Sequence, residues 1–93
     1  MDFDIRRNDA AHRFETTLED TLCVLDYRLH DGVLSIDHVG VPQPVAGRGI
    51  AAALTKTALD TARAENWRVV AHCPYAAAWI ERHPQYRDLL NHV

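Results

Sequence analysis

Val41-Pro42-Gln43-Pro44-Val45-Ala46-Gly47-Arg48-Gly49-Ile50-Ala51 is the stretch on which the fold turns. Its two prolines end any strand before them and force an extended loop, because proline fixes its own φ and disfavours helix at the residue it follows. Two glycines then flank one arginine, directly ahead of an Ala- and Leu-rich run. Ile50, Leu54, Ala58 and Ala62 recur at i, i+4 with Leu59 beside them, which predicts a helix over 50–65. Lys56, Asp60, Arg63 and Glu65 fall on its outer face, and Asn66 is a helix stop where glycine is commoner. A glycine loop at a helix start has a definite physical meaning. The first turn carries N–H groups with no internal partner, and the helix dipole adds roughly half a positive charge. Glycines keep side chains away from that backbone. The loop is therefore a candidate cradle for phosphate or pyrophosphate. The alternative is a turn that only packs.

Upstream, the pattern is that of strands. Residues 2–8 predict an edge strand and 11–18 a second, with His12, Phe14, Thr16 and Leu18 on one parity. Glu19-Asp20 makes a turn, 21–30 predicts a third strand, and Asp31-Gly32 is a strong hairpin signal. The fourth strand, 33–41, changes parity: Leu34 and Ile36 share one face, Val39 and Val41 the other, with Asp37, His38 and Gly40 around the switch. Either a bulge inserts a residue there, as bulges often do beside active sites, or both faces are partly covered. Downstream, 67–72 predicts a buried strand, Cys73-Pro74 breaks it, 75–82 predicts a short helix ended by His83-Pro84, and 86–92 a final turn. The fold class is α+β: a four-stranded antiparallel meander followed by helix, strand, helix, with a strand–helix–strand crossover grafted on its end.

The 93 residues make one domain, 1–93, with 47% hydrophobic and 25% charged side chains and no repeat or low-complexity stretch. A net charge of −3 argues against a nucleic-acid partner and suits a cationic acceptor. No apolar run approaches the roughly 18 residues of a membrane span. With no secretory leader read at the charged N-terminus, the expected setting is cytoplasmic, and Cys23 and Cys73 are read as free thiols. Two cysteines so far apart form no zinc framework, so no metal is expected. A phosphate-binding G-x-x-x-x-G-K-[ST] run is absent. Gly47, Gly49 and Ala52 match a dinucleotide fingerprint, but the next strand ends in His72-Cys73 rather than an acid, and the chain is short for a doubly wound sheet.

Ala46-Gly47-Arg48-Gly49-Ile50-Ala51 resembles motif A of the GNAT N-acetyltransferase superfamily, (Arg or Gln)-x-x-Gly-x-(Gly or Ala). Gly49 and Ala51 fill its last two marked positions, and Ala46 departs from the first. Asp37-His38-Val39-Gly40-Val41-Pro42, Cys73-Pro74-Tyr75 and His83-Pro84-Gln85-Tyr86 are similar to stretches of the small single-domain GNAT subfamily sometimes called YjdJ-type. The resemblance spans about residues 20–88 and implies a compact GNAT fold whose mixed sheet splays between strands 4 and 5. It implies acetyl-CoA as co-substrate in that cleft, held along Val39, Val41, Ala46, Gly47, Arg48, Gly49, Ile50, Ala51, Cys73 and Tyr75. A backbone N–H near Val41 is then the expected donor to the acetyl carbonyl.

Three side chains are catalytic candidates. His38 is the base, its ordinary pKa lying near neutrality; the plainer reading is a strand histidine bonded to backbone. Cys73 is either an acyl relay with His38 as partner or a buried packing group. Tyr75 either donates a proton to the departing CoA thiolate, as a tyrosine of this region does in many GNATs, or only contacts the pantetheine arm. His72 should face away from Cys73. Cys23 and Trp79 read as core, and Glu15, Glu19 and Asp20 as solvated face. Arg48 either reaches a CoA phosphate or is an ordinary exposed arginine. The expected activity is acetyl transfer to a small-molecule or protein amine by direct attack. The alternatives are an acyl-CoA-binding or regulatory module and a dinucleotide-binding fragment. A monomer or weak dimer is expected, an edge strand at 2–8 offering a route to pairing.

Overall fold

The computed structural model describes residues 3–91. In chain order it holds β1 (Arg6–Asn8), β2 (Arg13–Leu18), β3 (Thr21–His30), β4 (Val33–Gly40), α1 (Ile50–Ala64), β5 (Arg68–Ala71) and α2 (Pro74–Glu81). Short 3₁₀ turns occupy Gln43–Val45 and Pro84–Leu89. One sheet runs in the order β1-β2-β3-β4-β5, antiparallel from β1 to β4 and parallel between β4 and β5. The α+β meander with a crossover is thus the fold.

The two hairpin turns explain the meander. Glu19 and Asp20 (φ 50° and 61°) and Asp31 and Gly32 (φ 51° and 75°) form left-handed pairs, whose twist matches that of the strands they join. At the far end of α1, Asn66 takes φ 60°. The Trp67 N–H bonds the Ala62 carbonyl at 2.8 Å and the Asn66 N–H that of Arg63 at 3.3 Å, which closes the helix.

Several boundaries differ from the sequence expectation. The first strand begins at Arg6, and residue 2 of the expected span lies outside the described residues. The second begins at Arg13 rather than 11, because 9–12 turn: His12 stands at φ 55° and its N–H bonds the Asp9 carbonyl at 3.2 Å. The loop after β4 is not simply extended. Val45 is fully buried, and a 3₁₀ turn delivers it to the core, with Val45 N–H on Pro42 O and Ala46 N–H on Gln43 O, both at 3.1 Å. The fifth strand is shorter, ending at Ala71. Cys73 consequently caps α2 rather than ending a strand, and Pro74 takes the first helical position, where its missing N–H costs nothing.

Phe14, Leu25, Leu34 and Ile36 from the sheet, Ile50, Leu54 and Leu59 from α1, and Ile80 from α2 are buried in one core cluster. Each such side chain contributes about 1.5–3 kcal/mol of transfer free energy. Cys23 and Trp79 join that cluster. The opposite face of β2–β4 stays open, with Thr17, Leu22, Arg28 and His38 exposed on it.

Candidate functional site

The site is assembled from the end of β4, the loop behind it and the start of α1. β4 carries a bulge: Leu25 pairs with Val39 and Asp26 with His38, yet Tyr27 pairs with Ile36, leaving Asp37 as the extra residue. The insertion turns the facing pattern over, so Ile36 before it and Val39 and Val41 after it all pack toward the core. The parity switch in the sequence is this bulge. Arg28 clamps Asp37 with two bonds of 2.7 and 3.1 Å and holds its carboxyl below the ordinary 3.8, against the opposing pull of burial.

At the bulge the sheet divides. Ile36 is the last residue of β4 paired with β5, opposite Ala71. Its carbonyl accepts two N–H groups, those of His72 and Cys73, both at 3.0 Å. Beyond it, β4 continues to Gly40 with no β5 partner, which leaves a cleft. At the cleft's mouth, the Val41 N–H has no acceptor among the described residues.

Val45 pegs the loop to the core, and Gly47 (φ 80°) and Gly49 (φ 83°) then swing the chain into α1. A Cβ at either glycine would meet nothing within 4 Å, so conformation rather than crowding demands them there. Gly49 is the N-cap, without a side-chain cap and with no acid in the first turn. The first helical bond, Ala53 N–H to Gly49 O at 3.0 Å, leaves the N–H groups of Ile50, Ala51 and Ala52 without an acceptor among the described residues. These donors open on a cavity of about 300 Å³ lined by Val41, Ala46, Gly47, Gly49, Ile50 and Ala51, with Tyr75 from α2 closing it. An uncapped, acid-free helix start has the donors and the dipole that favour an anion. Ala46, where motif A has arginine or glutamine, is among the residues that line this cavity.

The candidate side chains fall in different places. Tyr75 lines the loop cavity at 36% exposure, and burial pushes its hydroxyl above the usual 10, partly opposed by the charge of Arg82. Cys73 is 7% exposed and belongs to the core cluster beside the dividing point. His38 is exposed on the open face, its ring over Gly40: a Cβ there would stand 2.8 Å from His38 Nε2. No hydrogen bond joins His38 to Cys73 among the described residues, so the pairing that a relay needs is not assembled. His72 is exposed while Cys73 is buried, although both lie past the end of β5. Arg48 turns away from the cavity, its guanidinium 2.6 Å from Glu19 Oε2. Sequence reading missed that pair and the part of Ala52 in the lining; the i, i+3 step from Gly49 to Ala52 was the available signal. Among the described residues no cluster of three or more His, Cys, Asp or Glu is placed to hold a metal. No helix among them is long and apolar enough to cross a membrane.

Residues 13–89 match the family model described as GCN5-related N-acetyl-transferase. The chain belongs to this family. The GNAT fold is seen again in the solution NMR structure of a GCN5-like candidate N-acetyltransferase from Staphylococcus aureus, 26% identical. The alignment covers 98% of this chain and 90% of that one, with a TM-score of 0.76. None of the curated proteins matches. Membership in the GNAT family carries acetyl transfer as the general chemistry.

Proposed function

We propose that this chain is an acetyl-CoA-dependent N-acetyltransferase that transfers an acetyl group to an amine by direct attack in the cleft between β4 and β5. One observation carries the reading: the uncapped donors of α1 share a single cavity with Val41 and Tyr75. Donors suited to an anion and a donor suited to a carbonyl thus lie on one cavity, which supports the reading. Acetyl-CoA, when bound, supplies an activated acyl thioester.

The chain's own residues do the rest. The N–H groups of Ile50, Ala51 and Ala52 hold the pyrophosphate, and Gly47 and Gly49 keep it against the backbone. Arg48, if drawn from Glu19, adds a charged donor to a phosphate. Val39 and Val41 line the cleft's β4 wall, and the Val41 N–H donates to the acetyl carbonyl. His38 takes the amine proton. The Tyr75 hydroxyl, protonated at neutral pH as any phenol is and shifted further up by burial, is suited to give a proton to the departing thiolate. Cys73 packs at the cleft's inner end. The two unpaired cysteines suit a reducing, cytoplasmic setting.

The deciding experiment incubates the protein with acetyl-CoA and a panel of amines and follows thiol release above the hydrolysis background. Release with at least one amine is expected. CoA binding without release on any amine would instead identify an acyl-CoA-binding module.

A further inference from the structure

The open face of the sheet carries a second depression, of about 450 Å³. Leu22 and Val24 of β3 form one side, Gly40, Val41 and Pro42 the other, and Asp26 lies at one end with Arg13 of β2 beside it. Val41 lines both this groove and the glycine-loop cavity. The two depressions thus share one wall, at the residue whose N–H is unpaired. The two depressions are therefore neighbours, as a donor site and an acceptor site of one transfer reaction have to be.

The lining is chemically specific. Leu22, near the start of β3, is a large aliphatic side chain left 42% exposed. Asp26 is half-buried and takes part in no ion pair or side-chain hydrogen bond among the described residues. Arg13 stands directly across the ladder from it but gives its guanidinium to Glu15, at 2.7 Å. On its other side Asp26 pairs in register with His38, whose ring reaches back over Gly40. Glycine at 40 leaves that space to the imidazole. An aliphatic trough thus ends at a carboxylate beside an imidazole, with the neighbouring guanidinium, that of Arg13, engaged by Glu15.

We propose that this groove is the acceptor subsite, and that it takes a primary amine carried on an unbranched alkyl stem. The methylenes lie on Leu22 and Val24, and the ammonium is held by Asp26 next to His38. The proposal rests on the acetyl-transfer reading above. The same chemistry is offered by a free alkylamine and by a lysine side chain.

The test is NMR titration of methyl and amide groups with n-pentylamine and, separately, with a lysine blocked at both backbone ends, each with and without CoA. Both amines are expected to shift Leu22, Val24 and Gly40, while CoA shifts Gly47 and Gly49. Response to only one amine would identify the source. Asp26→Asn is expected to weaken amine binding about tenfold, the scale of one lost charge-assisted bond, and to leave the CoA shifts unchanged. Leu22→Gln, at an exposed position that does not threaten folding, should weaken pentylamine more than methylamine. Amine shifts centred elsewhere, or unaffected by both substitutions, would overturn the groove even if CoA binds. CoA failing to move Gly47 and Gly49, with the amines still marking the groove, would instead sink the acetyl-transfer reading.

Discussion

Arg48 Nη1 lies 2.6 Å from Glu19 Oε2, tying the glycine loop to the turn between β2 and β3. Both side chains are well exposed, so the pair contributes no more than about 1 kcal/mol to stability. Its consequence is for the anion site: Glu19 both occupies the loop's cation and places a negative charge beside the cradle. Glu19→Gln is expected to tighten CoA binding severalfold, and Arg48→Ala to weaken it by about tenfold. Calorimetry at low and at high salt checks both, with the differences shrinking as salt screens the charges.

Gly49 holds φ 83° at the N-cap of α1. An alanine there meets no neighbour but must adopt the left-handed conformation, at a cost of roughly 1–2 kcal/mol. Gly49→Ala should lower the unfolding free energy, measured by denaturant titration, by roughly 1–2 kcal/mol, while Gly49→Asn, with a residue tolerant of this region, should recover part of it. Unchanged stability in Gly49→Ala would show that the loop relaxes to another conformation.

Arg28 favours the charged form of Asp37 in the folded chain. That contribution is complete above the ordinary value of 3.8 and is lost as pH falls through the depressed one. Arg28→Gln should therefore raise the Asp37 midpoint, followed by carboxyl NMR, and flatten the acid limb of the stability curve. Both curves should converge at the lowest pH.

Direct transfer separates the three catalytic candidates. His38→Ala should reduce kcat by about 10²–10⁴-fold, the range for a lost general base. Tyr75→Phe should reduce it less, without weakening acetyl-CoA binding. Cys73→Ala should retain activity, because its thiol lies in the core away from His38. An equal fall for Cys73→Ala and His38→Ala, with accumulation of acetylated protein in neither, would favour a relay over direct attack.

Much of this was legible in particular residues. The change of parity between Ile36 and Val39 announced the bulge, Asp31-Gly32 the hairpin, and Asn66 the end of α1. What escaped depended on tertiary packing. Val45 looks like any loop valine until the core it fills exists, so the 3₁₀ turn that carries it was unreadable. Residues 22–25 are apolar on both parities, so nothing in them singles out Leu22 as the one left beside a groove. The Arg48–Glu19 pair joins residues far apart in the chain that the loop brings together. Pro74, by contrast, did signal a helix start, and reading it so would have put Cys73 at the cap.

The division of the sheet at Ile36 is written into the covalent chain. In a parallel ladder the donors on one edge recur at every second residue. After His72, which bonds Ile36, the next would be residue 74, and proline has no hydrogen to offer. The ladder therefore loses its next bond from this edge, with or without a ligand between the strands. The gap begins where the chain itself withholds a donor.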